Sequence, residues 1–128
     1  MSLLIGNHIF SVLTSDEDVK RIVEERIFPI VVPEQTKKSF VLYDEINVSG
    51  EYTKDGLIGD VTCVSVKCAS ERFETVSILA DNVRMVLESS SKQYEGYSIE
   101  GSCLKNSTVG YDSGLYVFVL NFEFQTTY

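Results

Sequence analysis

One stretch of thirty residues, Asp60 to Ser89, limits what this chain can fold into, because it sets a strand directly before the longest helix the sequence can form. In Asp60 to Ala69, DVTCVSVKCA, the residues Thr62, Val64, Val66 and Cys68 alternate with Val61, Cys63, Ser65 and Lys67. A period of two predicts a strand covered mainly on one side. In Glu71 to Ser89, Phe73, Val76, Ala80, Val83 and Leu87 recur at three- and four-residue intervals, and Leu79 and Val86 widen the stripe. Such a stripe predicts an amphipathic helix that needs a sheet to lie on.

The remaining chain supplies that sheet. Ile5, Ile9, Val12 and Leu13 share a helical face and predict a first helix over Ser2 to Leu13. Thr14 or Ser15 is placed to cap a short second helix, with Val19, Ile22 and Val23 turned inward. Asp16 with Lys20 and Glu17 with Arg21 are spaced as helical ion pairs, so Asp16 to Asp18 reads as a solvated helix start rather than a metal site. The two prolines of Arg26 to Pro33 push that run to a sheet edge or a connector. Glu34 to Ser39 reads as a polar loop, and Phe40 to Val48 as a strand in which Asp44 marks a bend or pairs with a base.

Gly50 to Gly59 carries three glycines and several charges, and predicts a hairpin tip or a projecting loop. Its Glu51, Tyr52, Lys54, Asp55, Leu57 and Ile58 are candidate contact residues for a subunit or partner. Ser89 to Gly96 reads as a flexible connection, Tyr97 to Leu104 as a strand and Lys105 to Ser113 as a second loop. In Leu115 to Gln125, Tyr116, Phe118, Leu120, Phe122 and Phe124 make an aromatic core-facing row. The first half of that strand is expected to be covered on both faces. The expected fold is α+β: residues 1–128 form one domain, an antiparallel or mixed sheet with two to three helices mainly on one face.

Nineteen acidic residues against eleven basic ones give a net charge of −8, which disfavours binding to a phosphate backbone yet is compatible with DNA sliding past. Three cysteines and no basic, apolar leader point to a reducing compartment. Cys63 and Cys68 lie on opposite faces of one strand, so all three thiols, Cys103 included, read as small buried hydrophobes. No membrane span is expected from Met1 to Leu13.

Catalytic chemistry has little to draw on. His8 is the single histidine, and it sits in the first predicted helix. No nucleophile elbow, phosphate-binding loop, dinucleotide fingerprint or metal-spaced cluster occurs, and Asp44 and Glu45 fall on opposite strand faces. A non-enzyme with no catalytic residues, no cofactor and no metal is expected.

Three groups of residues carry a resemblance. They are Arg26-Ile27-Phe28-Pro29 with Pro33 and Phe40 to Tyr43; Val61 to Ser70 leading into Glu74 and Leu79 to Arg84; and Gly110-Tyr111-Asp112 with Gly114 to Phe122. Over Leu3 to Phe124 the chain resembles a family of small tailed-phage and prophage proteins related to tail terminators and tail-to-head joining proteins. Lys67 and Cys68 depart from that family's more apolar or aromatic strand. The resemblance implies a structural protein of the virion, assembled in the bacterial cytoplasm. It implies a homo-oligomeric ring of six copies that caps the tail tube, contacts tube and neck proteins, and lets DNA pass without binding it specifically. From another class, a small acidic immunity or inhibitor module acting on a basic partner stands as the alternative. Within the phage class, a neck completion protein or tail-tube subunit is the near neighbour.

Overall fold

The computed structural model describes residues 2–34, 36–88 and 90–128. Met1, Gln35 in the expected polar loop and Ser89 at the end of the expected long helix lie outside the described residues. After a 3-10 turn at Ser2–Leu4 come α1 (Ile5–Thr14), α2 (Glu17–Val23), β1 (Ile27–Pro29), β2 (Phe40–Thr53), β3 (Gly56–Ser70), α3 (Phe73–Leu87), β4 (Lys92–Tyr94), β5 (Tyr97–Asp112) and β6 (Leu115–Thr127). The strands form one mixed six-stranded sheet in the order β1-β2-β3-β6-β5-β4. β1 runs parallel to β2, and every other neighbouring pair is antiparallel.

The anticipated pairing of β3 with α3 is the centre of the molecule. Thr62, Val64, Val66 and Cys68 are buried on one face of β3, opposite Phe124, Phe122, Leu120 and Phe118 of β6. Val76, Leu79, Ala80, Val83 and Leu87 of α3 are buried against this wall, with Ile5, Ile9 and Leu13 of α1 and Val19 and Val23 of α2 closing the core. Each fully buried Leu, Ile or Val contributes roughly 1.5–3 kcal/mol relative to exposure. Phe73, expected in the stripe, is instead 50% exposed and packs its ring on Tyr116 and Phe118 at 5.5 and 6.2 Å. It occupies the first helical position, where the stripe runs past the edge of the core.

Several expectations are corrected. The cap of α2 is neither Thr14 nor Ser15: the Thr14 hydroxyl donates to the Phe10 carbonyl, and the Asp16 carboxylate accepts from the Val19 amide at 3.0 Å. With Asp16 so engaged, the ion pair formed in α2 among the described residues is Arg21 with Asp18 at 3.3 Å. Ser89 to Gly96 is no plain connection, since it holds β4, which pairs with Tyr97–Ile99 through a turn at Glu95 and Gly96. Lys105 to Ser113 is not a loop but the continuation of β5, bulged between Leu104 and Asn106, and only Ser113 and Gly114 form the turn. The first half of β6 is central in the sheet but not covered on both faces, for Leu115, Val117 and Val119 are only half-buried. Of the three thiols only Cys68 is buried; Cys63 is exposed and Cys103 half-buried, because both lie on the sheet face that carries no helix.

Candidate functional site

Because strand side chains alternate, the sheet that packs its core on one face presents a second face to the outside. Asp44, Lys67, Ser65, Asn121, Asn106, Cys63, Glu123, Cys103 and Gln125 project there, and Glu45, expected on the face opposite Asp44, reaches the same side because it sits in a bulge. Their polar groups join across the strands. The Ser65 hydroxyl lies 2.7 Å from Asn121 Oδ1 and 3.0 Å from Glu45 Oε2, and Asn121 Nδ2 donates to Asn106 Oδ1 at 2.7 Å. Lys67 Nζ stands 3.0 Å from Asp44 and 3.9 Å from Glu45, while Lys105 approaches Glu123 at 3.8 Å. Acidic groups outnumber basic ones on this wall, so it repels polyanions rather than holding them.

Asp44 both bends its strand and finds a base, the two roles its place in the sequence left open. The register shifts between Asp44 and Asn47, and Glu45 takes a φ of 51° within that bulge. The bulge turns the following residues by one position, which leaves Ile46 exposed.

The candidate contact residues fall at the far end of the β2–β3 hairpin. Gly50 to Gly59 is not a loose loop: the strands run on, and only Lys54 and Asp55 form the turn, where Thr53 Oγ1 accepts from the Asp55 amide at 3.2 Å. Tyr52 is 73% exposed, directly across from exposed Leu57, and Ile58 beside it is also exposed. The hairpin thus brings Tyr52, Lys54, Asp55, Leu57 and Ile58 together. Glu51 is drawn away, its carboxylate accepting from Gln125 Nε2 at 3.2 Å on the uncovered face. The base of the hairpin is held at Gly59, where a Cβ would lie 2.3 Å from the Thr126 carbonyl oxygen.

Sequence reasoning missed two further surfaces, the outer edges of the sheet. β1 pairs only with Val41–Tyr43 of β2, and β4 only with Tyr97–Ile99 of β5. Among the described residues, no strand pairs with the outer edge of 44–53 or of 101–112. Val109 and Tyr111 stand exposed on the second of these at 48% and 64%. The signal lay in Ser107-Thr108-Val109-Gly110-Tyr111, whose β-branched and aromatic residues favour a strand although its Ser and Gly suggest a turn.

His8 is not placed for acid–base work on a substrate. It is buried in α1, with Nδ1 2.7 Å from the Tyr94 hydroxyl and Nε2 3.1 Å from the Ser90 hydroxyl. Burial, assisted by the charge of Lys92, lowers its pKa from 6.5 to about 4. Burial likewise pushes the Cys68 thiol above its usual range, which suits packing rather than nucleophilic attack. Among the described residues, no group of three His, Cys, Asp or Glu side chains is arranged to hold a metal ion, and no helix is long and apolar enough to cross a membrane.

The family described as tail completion protein gp17 matches residues 7–127, from α1 to the end of β6. The chain belongs to this tail completion family. It is therefore a structural protein of a phage-type tail. The fold of this tail completion protein is also similar to that of a chain in the structure described as "Virion of native gene transfer agent (GTA) particle", with a TM-score of 0.81 and 15% sequence identity. That likeness covers 94% of the tail completion protein and 92% of the other chain. A comparison with curated protein sequences finds no match.

Proposed function

We propose that this tail completion protein closes the end of a tail tube as a ring of six copies and offers a surface to the neck of the capsid. The observation that carries the reading is the two-faced sheet. One face is filled by α1, α2 and α3, while the other, polar and acidic, is left open as the wall of a lumen. DNA passes such a wall without being trapped, since phosphate binding is built on basic side chains that are in the minority there. The particle named for the similar fold is itself a virion, which accords with a place in the virion for this chain after assembly in the host cytoplasm.

A ring is built from heterologous contacts, one patch meeting a different patch on the next copy. The tip formed by Tyr52, Lys54, Asp55, Leu57 and Ile58, with Glu51 at its base, projects from one end of the sheet and serves as one of those patches.

Native mass spectrometry over rising protein concentration, alone and with isolated tail tubes, tests the reading. Six times 14.4 kDa, about 86 kDa, is the expected mass. A chain that stays monomeric both alone and at tube ends, and instead binds a single basic protein in a salt-sensitive manner, overturns it in favour of the acidic-module alternative.

A further inference from the structure

We propose that neighbouring copies join by strand addition, the outer edge of β2 in one copy pairing with the outer edge of β5 in the next, at a register fixed by β1 and β4. The inference rests on the ring reading and specifies its joint.

A long unpaired strand edge is a template for another strand. This sheet has two, and they match. β2, β3, β6 and β5 alternate in direction, so β2 and β5 run opposite ways. A second copy related by rotation about a ring axis therefore lays its β2 antiparallel on the first copy's β5, and the alternation continues unbroken.

The ends of the two runs also correspond. The open run of β2, 44–53, is bounded by β1 on one side and by the Lys54–Asp55 turn on the other. That of β5 lies between β4 and the Ser113–Gly114 turn, and it is open over 105–112, since the Leu104 amide is taken by the Glu88 carboxylate at the end of α3. When the second copy slides along the strands until the runs overlap, its hairpin tip stops short of β4. Its β1 then passes beyond the Ser113–Gly114 turn. Within one copy the two runs are offset along the strands, since Asp44 lies level with Asn121, whereas Asp112 lies level with Leu115. Closing a sheet into a barrel requires a stagger of this kind, which tilts the strands.

The side chains agree with the placement. Residues directly opposite must share a face; Val48 shares the helix face with Thr62, and Val109 shares it with Phe118. Setting Val48 opposite Val109 puts Ser49 beside Thr108 on the uncovered face and exposed Ile46 beside exposed Tyr111. Ile46–Gly50 and Asn106–Tyr111 contain neither charge nor proline. Charged residues flank these stretches, Glu45 and Glu51 the first and Lys105 and Asp112 the second, and register shifts lie at their ends, beside Glu45, Glu51 and Lys105.

The test places Val48→Cys and Val109→Cys together in a chain carrying Cys63→Ser and Cys103→Ser, and oxidises it under assembly conditions, alone and with isolated tail tubes. The expected result is a ladder of covalent multimers ending at the closed ring, absent from either single variant. Hydrogen exchange on the unaltered protein gives an independent reading, in which amides of 46–50 and 106–111 slow by roughly tenfold or more on assembly. A ring of defined mass that neither cross-links nor slows these amides overturns the strand joint and leaves the ring intact. Failure to form any oligomer, alone or at tube ends, overturns both.

Discussion

The imidazole of His8 in α1 and the hydroxyl of Tyr94 in β4, far apart in sequence, lie 2.7 Å apart and fasten the first helix to the last edge strand. The ring is held neutral: its pKa is about 4 in the fold against 6.5 in the unfolded chain. A lowered histidine pKa means that the unfolded chain binds more protons between those values. The stabilisation is therefore fully present above pH 6.5 and is lost as pH falls towards 4, by an amount on the order of 3 kcal/mol. Urea unfolding at pH 7 and pH 5 should show about 2 kcal/mol of this loss in the unaltered protein. His8→Gln should be less stable at pH 7 but should lack the histidine contribution to the slope.

Lys67 and Asp44 form an ion pair with little solvent around it, at 26% and 17% side-chain exposure. Lys67→Met leaves the Asp44 carboxylate without its base and should cost about 2–3 kcal/mol. Adding Asp44→Asn should recover much of that loss. The measurement is a double-mutant cycle by urea denaturation. Simple addition of the two single effects would show that the pair is not coupled.

Gly59→Ala should destabilise the fold by about 2 kcal/mol or more, because the added methyl meets a backbone carbonyl that cannot swing away. Gly101, which has nothing near its missing Cβ, gives the comparison. Thermal melts of the two alanine variants should separate clearly, with Gly101→Ala close to the unaltered protein.

Replacing Tyr52 to Leu57 by an Asn-Gly turn shortens the β2–β3 hairpin outside the core. Circular dichroism and the melting temperature should remain near those of the parent, within roughly 1 kcal/mol of stability. Assembly should fail in the same preparation. A shortened protein that still supports infectious tails would remove the hairpin tip from the interface.

What the sequence disclosed depended on which elements bury one face only. Val64 and Val66 of β3, Leu79 and Val83 of α3 and the aromatic row of β6 lie against one another, and their periods were legible for that reason. β5 beyond Leu104 is exposed on both faces, so no alternation was demanded of it, and its Asn, Ser and Gly read as a loop. The β2–β3 hairpin was located correctly, but its strands extend further than its glycines suggested. β4 is held by Tyr94 stacking on Tyr97 at 4.9 Å and by His8, contacts that no local pattern announces. The open edges of β2 and β5 were invisible for a related reason: an edge is defined by which neighbour stops short, a property of β1 and β4 rather than of the strand that is exposed.

The single sheet with its two faces also divides the chain's freedom to vary. Along β3 and β6, alternate positions answer to different demands: Val64, Val66, Leu120 and Phe122 must fit a filled interior, while Cys63, Ser65, Asn121 and Glu123 face solvent and the polar side chains of the neighbouring strands. Charge on the open wall can be rewritten at every second residue with the packing left as it is, and the packing can be re-tuned without altering the wall. A lineage can thus change the charge of the open face by editing one interleaved set of codons, and keep its fold in the other.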